Sequence, residues 1–254
     1  MFVLLHGFAQ TPATWKPVAD KLRASGYSVE APNLYSQLPE CGTLDGLCDW
    51  VAQLVVSCAQ NASVVLAGYS MGGRVAAQTL VRHPDLPVAA VVLESAGLGP
   101  QDDAGRAALA ARSAQWAERL RHEGVEPFMD WWETLPLFAT QQSLPPQVRR
   151  AVRRERTSFG AEALVRSLEG WGQQHQSLQS ETLAALGRAR DMGVSLTYVA
   201  GSLDRKYCAL ADRARDAGLS TIAVSGAGHN AHLEKPDRFA ELLVQVANEA
   251  EVRA

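Results

Sequence analysis

The segment SVVLAGYSMGGRVAAQTL, residues 63–80, decides the fold because glycines join a short apolar run directly to a helical pattern. The apolar run predicts a buried strand, and the helix predicted after it ends at Pro84. Between them lies the pentapeptide GYSMG, residues 68–72. Its small residues permit a sharp strand-to-helix turn that lifts a serine hydroxyl above a sheet, at a helix N-terminus. We therefore interpret Ser70 as a reactive side chain at the carboxyl end of a strand.

Short apolar runs alternate with amphipathic segments on both sides of this turn. The predicted strands are FVLLHG, YSVEAPNL and VAAVVLESAG in the first part of the chain, and VSLTYVAGSLD and STIAVSGAGH near its end. The predicted helices between and after them are TWKPVADKLRASG, DGLCDWVAQLVVSCAQ, YCALADRARDAG and PDRFAELLVQVANEA. Repeated strand–helix–strand units predict an α/β fold with a doubly wound, mostly parallel sheet.

Residues 100–190 interrupt this alternation, since they have helical composition and no convincing strand. A helical block between two halves of one parallel sheet is typical of an inserted cap. We predict a core formed by residues 1–99 and 191–254, with residues 100–190 as the helical cap.

Charge and composition exclude several classes of function. The 254 residues carry a net charge of −3, which offers no general attraction to nucleic acid or to an anionic membrane. The first residues, MFVLLHGF, show neither a basic region nor a cleavage site, and no apolar run is long enough to span a membrane. The cysteines form no CxxC pair and show no metal-ligand spacing, so we interpret them as free thiols. We expect a cytoplasmic protein, a monomer or small homo-oligomer, without nucleic-acid or membrane partners.

Two further polar residues complete a possible catalytic triad with Ser70. Asp204 and His229 each follow a predicted strand, and the chain order Ser…Asp…His is the one that this kind of turn requires. Because the carboxyl ends of parallel strands meet at one edge of a sheet, the three side chains should converge. The carboxylate would orient the imidazole, which would remove the serine proton. Glu94 remains a rival acid, and His232 is a rival that we expect to support the loop instead.

An oxyanion hole needs one backbone N–H from the loop after the first strand and one from the residue after the serine. In this chain those residues are Phe8 and Met71. We expect the preceding His6 to have a structural role in holding the loop.

Taken together, these features resemble the α/β-hydrolase superfamily over essentially the whole chain. Within it, the chain resembles the 2-succinyl-6-hydroxy-2,4-cyclohexadiene-1-carboxylate synthases, which eliminate pyruvate in menaquinone biosynthesis. The segments that carry this resemblance are GYSMGGR, ESAGLGPQDDAGR, FMDWWETLPLF, LVRSLEGWGQQHQSL, GSLDRKY and AGHNAHLEKP. The resemblance implies a lyase that needs no metal and no organic cofactor.

It also implies a small, multiply anionic substrate, for which fixed cations are expected. Arg74 lies four residues after Ser70 and so shares its helix face. Tyr69, beside the serine, is in a position to line the pocket. Without the resemblance, Arg74 could also be a solvated helix charge.

The resemblance assigns further substrate contacts in the cap and the last third of the chain. It places Arg106 and Gln101 at the start of the first cap helix, and Lys206 two residues after Asp204. Trp131 matches a cap tryptophan, with Trp132 left open as the alternative. Taken singly, the cations could be surface charges and the tryptophans could be packing.

Two other interpretations of the whole chain remain open. A carboxylesterase or a C–C bond hydrolase would use the same triad with water, but a neutral ester needs none of these cations. A non-catalytic binding protein of this fold would have no need of an intact triad. The basic run QVRRAVRRER, residues 147–156, we interpret as a solvated cap-helix face that helps to attract an anion.

Overall fold

A computed structural model describes residues 1–251 and contains a six-stranded sheet. The strands are β1 (Phe2–Leu5), β2 (Val29–Glu30), β3 (Val65–Tyr69), β4 (Ala90–Glu94), β5 (Ser195–Gly201) and β6 (Ser220–Val224). Their order in the sheet is β2-β1-β3-β4-β5-β6, and every pairing among them is parallel. The predicted α/β fold with a doubly wound parallel sheet is confirmed.

Helices fill the connections between these strands, together with a few short 3₁₀ segments. In the described part of the chain they are α1 (Lys16–Ala24), α2 (Leu44–Ala59), α3 (Met71–Arg82), α4 (Asp103–Glu123), α5 (Val125–Trp132), α6 (Pro146–Arg156), α7 (Ala161–Gly170), α8 (Gln179–Asp191), α9 (Arg205–Asp216), α10 (Ala231–Glu234) and α11 (Pro236–Glu251). None of the helices within residues 1–251 is both long and apolar enough to cross a membrane.

The sheet is buried on both faces, which is why its strands are apolar throughout. In β1, Phe2 and Leu4 belong to the core under α1 and α11, while Val3 and Leu5 belong to the core under α2 and α3. All four side chains are fully buried. This arrangement follows from the period of two along a strand, which sends successive side chains to opposite faces.

Helices α4 to α8 lie between β4 and β5 in the chain, where the sequence predicts the cap. Within this block α4 packs against α7, whereas α8 packs against α3 and β5. The last helix of the block therefore contacts the sheet-forming part of the chain directly. The division at residues 100 and 190 stays a prediction.

The second predicted strand is much shorter than the sequence suggests. Only Val29–Glu30 pairs with β1, and the chain turns into a 3₁₀ helix at Leu34. Pro32 has no N–H to donate to a ladder, and the Asn33 side chain accepts a hydrogen bond from the N–H of Tyr35. These two residues end the edge strand and redirect the chain.

Candidate active site

Ser70 sits in a strained turn between β3 and α3. Its backbone has φ 50° and ψ −103°, a conformation that L-residues rarely adopt, and its N–H donates to the carbonyl oxygen of Glu94 (2.8 Å). A Cβ at Gly68 would overlap the backbone of Gly72, and one at Gly72 would overlap the carbonyl of Leu5. The glycines of the pentapeptide therefore permit the close approach of α3 to β1 that the turn requires.

Three side chains from distant parts of the chain form a hydrogen-bonded series at this turn. The His229 Nε2 atom lies 3.2 Å from Ser70 Oγ, and His229 Nδ1 lies 2.8 Å from Asp204 Oδ2. Asp204 caps α9, where its Oδ1 accepts from the N–H of Tyr207 (3.3 Å). Because the carboxylate accepts from Nδ1–H, Nε2 is left to accept the serine proton. The predicted triad residues are thus brought together, and their catalytic role stays a prediction.

The rival acid Glu94 makes a different pair. Its carboxylate binds His232, with Oε2 2.7 Å from Nδ1, and makes no hydrogen bond to His229. Of the two candidate acids, only Asp204 contacts the imidazole next to Ser70. His232 binds Glu94 and the Thr14 hydroxyl and does not line the cavity at Ser70, which agrees with the supporting role expected for it.

The proposed oxyanion-hole residues, Phe8 and Met71, line the same cavity as Ser70. Met71 is the first residue of α3, so its N–H has no acceptor within the helix. Next to Phe8, the His6 ring accepts from the N–H of Leu34 (2.9 Å) and contacts its neighbour's carbonyl. Burial lowers the pKa of His6 to about 4, so the ring is neutral near pH 7 and acts as a structural tie.

The cavity above Ser70 has a volume of about 100 Å³, and aromatic side chains form part of its wall. Its described lining contains four cations and no aspartate or glutamate; the cations are Arg74, Arg112, Arg156 and Lys206. A second cavity of about 330 Å³ lies beside it, and the two share Phe138 and Arg156 in their walls.

Arg74 extends from α3 into this cavity and is almost entirely buried. One Nη donates to the carbonyl oxygen of Trp171 (2.9 Å), while Nε has no partner among the described residues. Burial lowers the pKa of its guanidinium to about 10; Tyr207 opposes this shift, and nearby Arg112 adds a smaller contribution in the same direction as burial. The guanidinium stays charged near pH 7 although it is largely desolvated and short of acceptors.

Arg112 and Lys206 add two partly desolvated charges opposite Arg74. The Arg112 guanidinium lies 4.8 Å from the centroid of the Trp116 ring, and its buried Nε has no partner in residues 1–251. Burial lowers the pKa of both groups, and Arg112 further lowers the pKa of Lys206. The Asp204 carboxylate, which binds His229, opposes the shift in the pKa of Lys206. Desolvated cations in a cavity whose described lining contains no carboxylate favour an anionic ligand.

Comparison with known proteins places this arrangement in a family. The family model described as the α/β hydrolase family matches residues 2–242. The chain belongs to the α/β hydrolase family. A feature of this family is the strand–turn–helix segment that presents the serine, which here is the β3–α3 turn.

Relatives that match nearly the whole chain of this α/β hydrolase share one name. The 2-succinyl-6-hydroxy-2,4-cyclohexadiene-1-carboxylate synthase of Salmonella typhimurium is 32% identical over 96% of this chain and 92% of its own length. The protein of that name from Enterobacter sp. strain 638 is 30% identical over 96% of this chain and 90% of its own. The solved structure of MenH from S. aureus covers 98% of this chain and 94% of its own, with a TM-score of 0.88 and 25% identity. The resemblance inferred from sequence is confirmed.

Two of the predicted substrate contacts in the cap of this hydrolase lie away from the cavity. Arg106 donates to the carbonyl oxygens of Gln174 and Gln176 (2.6 and 2.7 Å), so its guanidinium secures that loop. Gln101 is exposed beside Arg213 and is absent from the cavity wall. Neither side chain lines the cavity at Ser70, and a role in substrate binding stays a prediction for both. The cation that α4 presents to the cavity is Arg112.

Of the two cap tryptophans, only the second lines the cavity at Ser70. Trp132 lines the cavity, whereas Trp131 packs outward against Arg119, whose guanidinium lies 4.5 Å from its ring centroid. Adjacent residues on a helix point about 100° apart, so only one of the two can face the serine. The predictions that Tyr69 and Lys206 face the cavity agree with its lining.

Arg156 is the other cation that sequence reasoning missed. It ends the basic run interpreted as solvated, yet it is only 4% exposed and binds Glu133 (3.1 Å) and Gln141 (2.9 Å). Its guanidinium also lies 4.8 Å from the ring centroid of Phe138. The spacing along α6 could have indicated that Arg156 is buried, since Val152 and Arg156 are four residues apart and share the buried face.

Proposed function

We propose that this α/β hydrolase is a 2-succinyl-6-hydroxy-2,4-cyclohexadiene-1-carboxylate synthase, a lyase of menaquinone biosynthesis. It eliminates pyruvate from 2-succinyl-5-enolpyruvyl-6-hydroxy-3-cyclohexene-1-carboxylate. The observation that carries the proposal is a cavity at Ser70 whose described lining contains four cations and no acidic side chain, and of these cations only Arg156 binds a carboxylate, that of Glu133. Relatives with this name match nearly the whole chain.

The charges of the substrate match those of the cavity. The substrate bears carboxylates on the ring, on the succinyl arm and on the pyruvyl ether. Arginine guanidiniums bind carboxylates through paired N–H groups, and lysine contributes a point charge. Arg74 and Arg112 each have a buried N–H without an acceptor among the described residues, and a bound carboxylate would supply one.

The triad geometry performs a proton abstraction. His229 takes the Ser70 proton, and the serine oxygen removes the ring proton that the succinyl carbonyl activates. The electron pair moves to that carbonyl, whose enolate oxygen is held by the N–H groups of Phe8 and Met71. Collapse of the enolate breaks the carbon–oxygen bond to the enolpyruvyl group, which takes up a proton to become pyruvate. That proton is the one that His229 took from Ser70, so His229 becomes neutral again while Ser70 keeps the ring proton.

Binding also requires a change in the cap. Ligands of this size occupy pockets of roughly 300–1,000 Å³, and the cavity at Ser70 holds about 100 Å³. Phe138 and Arg156 line both this cavity and its larger neighbour, so their movement would join the two.

The proposal includes a cytoplasmic location, a small anionic substrate as partner, and a monomer or small homo-oligomer. The cysteines Cys41, Cys48, Cys58 and Cys208 are free thiols, which supports a reducing compartment. The described residues contain no group of three or more histidine, cysteine or acidic side chains placed to hold a metal ion. Every step above uses side chains and backbone groups of this chain.

The deciding experiment measures two rates on the purified protein. Pyruvate release from the elimination substrate, followed by a coupled lactate dehydrogenase assay, should be much faster than hydrolysis of p-nitrophenyl acetate. Ser70→Ala should abolish the elimination. Fast ester hydrolysis without pyruvate release would reject the synthase assignment in favour of an esterase that uses the same triad.

A further inference from the structure

A second carboxylate–imidazole pair is buried behind the triad. Glu94 and His232 are both fully buried, with Glu94 Oε2 2.7 Å from His232 Nδ1. The other carboxylate oxygen accepts from the backbone N–H of His232 (3.0 Å). The Trp15 ring stacks on the imidazole, with ring centroids 3.8 Å apart, and closes the pair off from solvent. Neither residue lines the cavity at Ser70.

A chain of hydrogen bonds runs from this pair to the loop that carries Phe8. His232 Nε2 lies 2.9 Å from the hydroxyl of Thr14, which accepts from the Gln10 amide at 3.2 Å. The Gln10 Oε1 atom in turn accepts from the N–H of Gly7 (3.0 Å). All of these groups are buried, so each depends on the next for its hydrogen bond.

When the His232 imidazole is neutral, the direction of every bond in this chain follows from the two ends. The N–H of Gly7 can only donate, so the Gln10 oxygen faces it and the Gln10 NH₂ faces Thr14. The Thr14 hydroxyl therefore donates to His232 Nε2, and Nδ1–H donates to the Glu94 carboxylate. In each of these bonds the acceptor lies nearer to the Glu94 carboxylate than the donor does along the chain of bonds. In such an arrangement each hydrogen bond polarises the next.

Glu94 thereby connects the three loops of the active site. Its carbonyl oxygen accepts from the N–H of Ser70, and its carboxylate holds His232, three residues after His229. Through Thr14, the same carboxylate reaches Gln10, two residues after Phe8.

The Phe8 loop needs such support because its backbone is strained. Ala9 has φ 52°, which is costly for a residue with a Cβ. Its N–H donates to the Tyr35 hydroxyl (3.0 Å), which holds one side of the turn. Gln10, bound to Gly7, holds the other. Without the second tie, the N–H of Phe8 would be free to leave its position over the cavity.

We propose that Glu94, His232, Thr14 and Gln10 are positioning residues that hold the Phe8 N–H where the enolate oxygen forms. This inference rests on the proposed function. The enolate oxygen exists only after proton abstraction, so misplacing its donor should slow the chemical step and leave substrate binding unchanged.

The test uses Thr14→Val, which keeps the side-chain shape and removes the hydroxyl. Thr14→Ser, which retains the hydroxyl, is the rescue variant. Thr182→Val is the matched control, since Thr182 is also fully buried and accepts from a glutamine, Gln78 (3.0 Å), away from the cavity. If Thr14→Val does not fold, Thr14→Cys, with a much weaker donor of similar size, takes its place.

Thr14→Val should lower kcat for pyruvate release about tenfold with little change in KM, on the scale of a misplaced oxyanion-hole donor. Thr14→Ser and Thr182→Val should stay within about twofold of the unmodified enzyme. Amide hydrogen exchange at residues 7–9 should be faster in Thr14→Val only.

An unchanged kcat in Thr14→Val, or an equal loss in Thr182→Val, would overturn the positioning role. If the unmodified protein releases no pyruvate, the proposed function fails instead. Amide exchange would still test whether the chain holds the loop.

Discussion

Arg112 and Arg106 lie six residues apart on α4, and their guanidinium groups lie in different surroundings. Arg112 faces the cavity with a buried Nε that has no acceptor in the described chain, and Arg106 ties down two loop carbonyls. A charge-assisted hydrogen bond to a substrate carboxylate contributes about 1.5–3 kcal/mol. Arg112→Ala should therefore lower kcat/KM for pyruvate release by about 10- to 100-fold, and Arg112→Lys by less.

Arg106→Ala is the matched comparison on the same helix. It should lower the free energy of unfolding by about 1–3 kcal/mol, because two carbonyl oxygens lose their donor, while kcat/KM changes little. Kinetics and urea unfolding of both variants check this. A larger kinetic loss in Arg106→Ala than in Arg112→Ala would contradict the assignment.

His6 makes stability depend on pH in a defined window. Its pKa in the folded protein is about 4, below the value of 6.5 for a free imidazole. Below pH 6.5 the unfolded chain binds a proton that the folded chain does not, so stability falls as the pH drops toward 4. The full contribution is about 3 kcal/mol and is retained above pH 6.5.

Urea unfolding at several pH values, with His6→Asn as the comparison, measures this effect. The free energy of unfolding of the unmodified protein should fall more steeply between pH 6.5 and 4 than that of the variant. Parallel curves would show that His6 is not responsible.

At the scale of elements, the β3–α3 turn depends on the approach of α3 to β1. A Cβ at Gly72 would overlap the backbone of Leu5, which cannot rotate away as a flexible side chain could. Gly72→Ala should cost about 3 kcal/mol or more, by overpacking against rigid backbone, and displace the N–H of Met71.

Gly187→Ala is a suitable control, because a Cβ there meets nothing within 4 Å. Since alanine is the better helix former, this change in α8 should raise stability by up to about 1 kcal/mol. Thermal unfolding compares the two. Equal stability of Gly72→Ala and the unmodified protein would contradict the close approach.

Element boundaries show what the sequence could and could not predict. The run VAAVVLESAG predicts a long strand, but β4 ends at Glu94 because Ser95 has φ 46° and leaves the extended conformation. The presence of a strand can be predicted from the apolar run, because that run is a property of the local sequence. Where a strand ends depends on backbone conformations that neighbouring loops impose.

At the scale of the whole molecule, charge is distributed unevenly. The chain has a net charge of −3, yet α6 carries exposed arginines and the adjoining cavities hold the buried cations. Such a field accelerates the encounter with an anion and is screened by salt. The kcat/KM for pyruvate release should therefore fall as ionic strength rises, by more than kcat does.

The double change Arg150→Glu and Arg154→Glu, on the exposed face of α6, should weaken this salt dependence. The same charge change at Lys16 and Arg23 on α1, which packs on the other face of the sheet, should not. Steady-state kinetics at several salt concentrations distinguish them. Identical salt dependence in both variants would argue against steering by α6.

The sequence by itself determined the sheet, the turn at Ser70 and the chain order of the triad residues. These features depend on hydrophobic period and on the steric needs of single turns, which short segments express. Which cations face the cavity was decided by tertiary structure, because packing sets the rotation of α4 and α6 about their axes. The same holds for the contacts of Glu94 with His232, and through it with Thr14 and Gln10. Those residues lie far apart in the chain, and only the folded sheet brings them within hydrogen-bond distance.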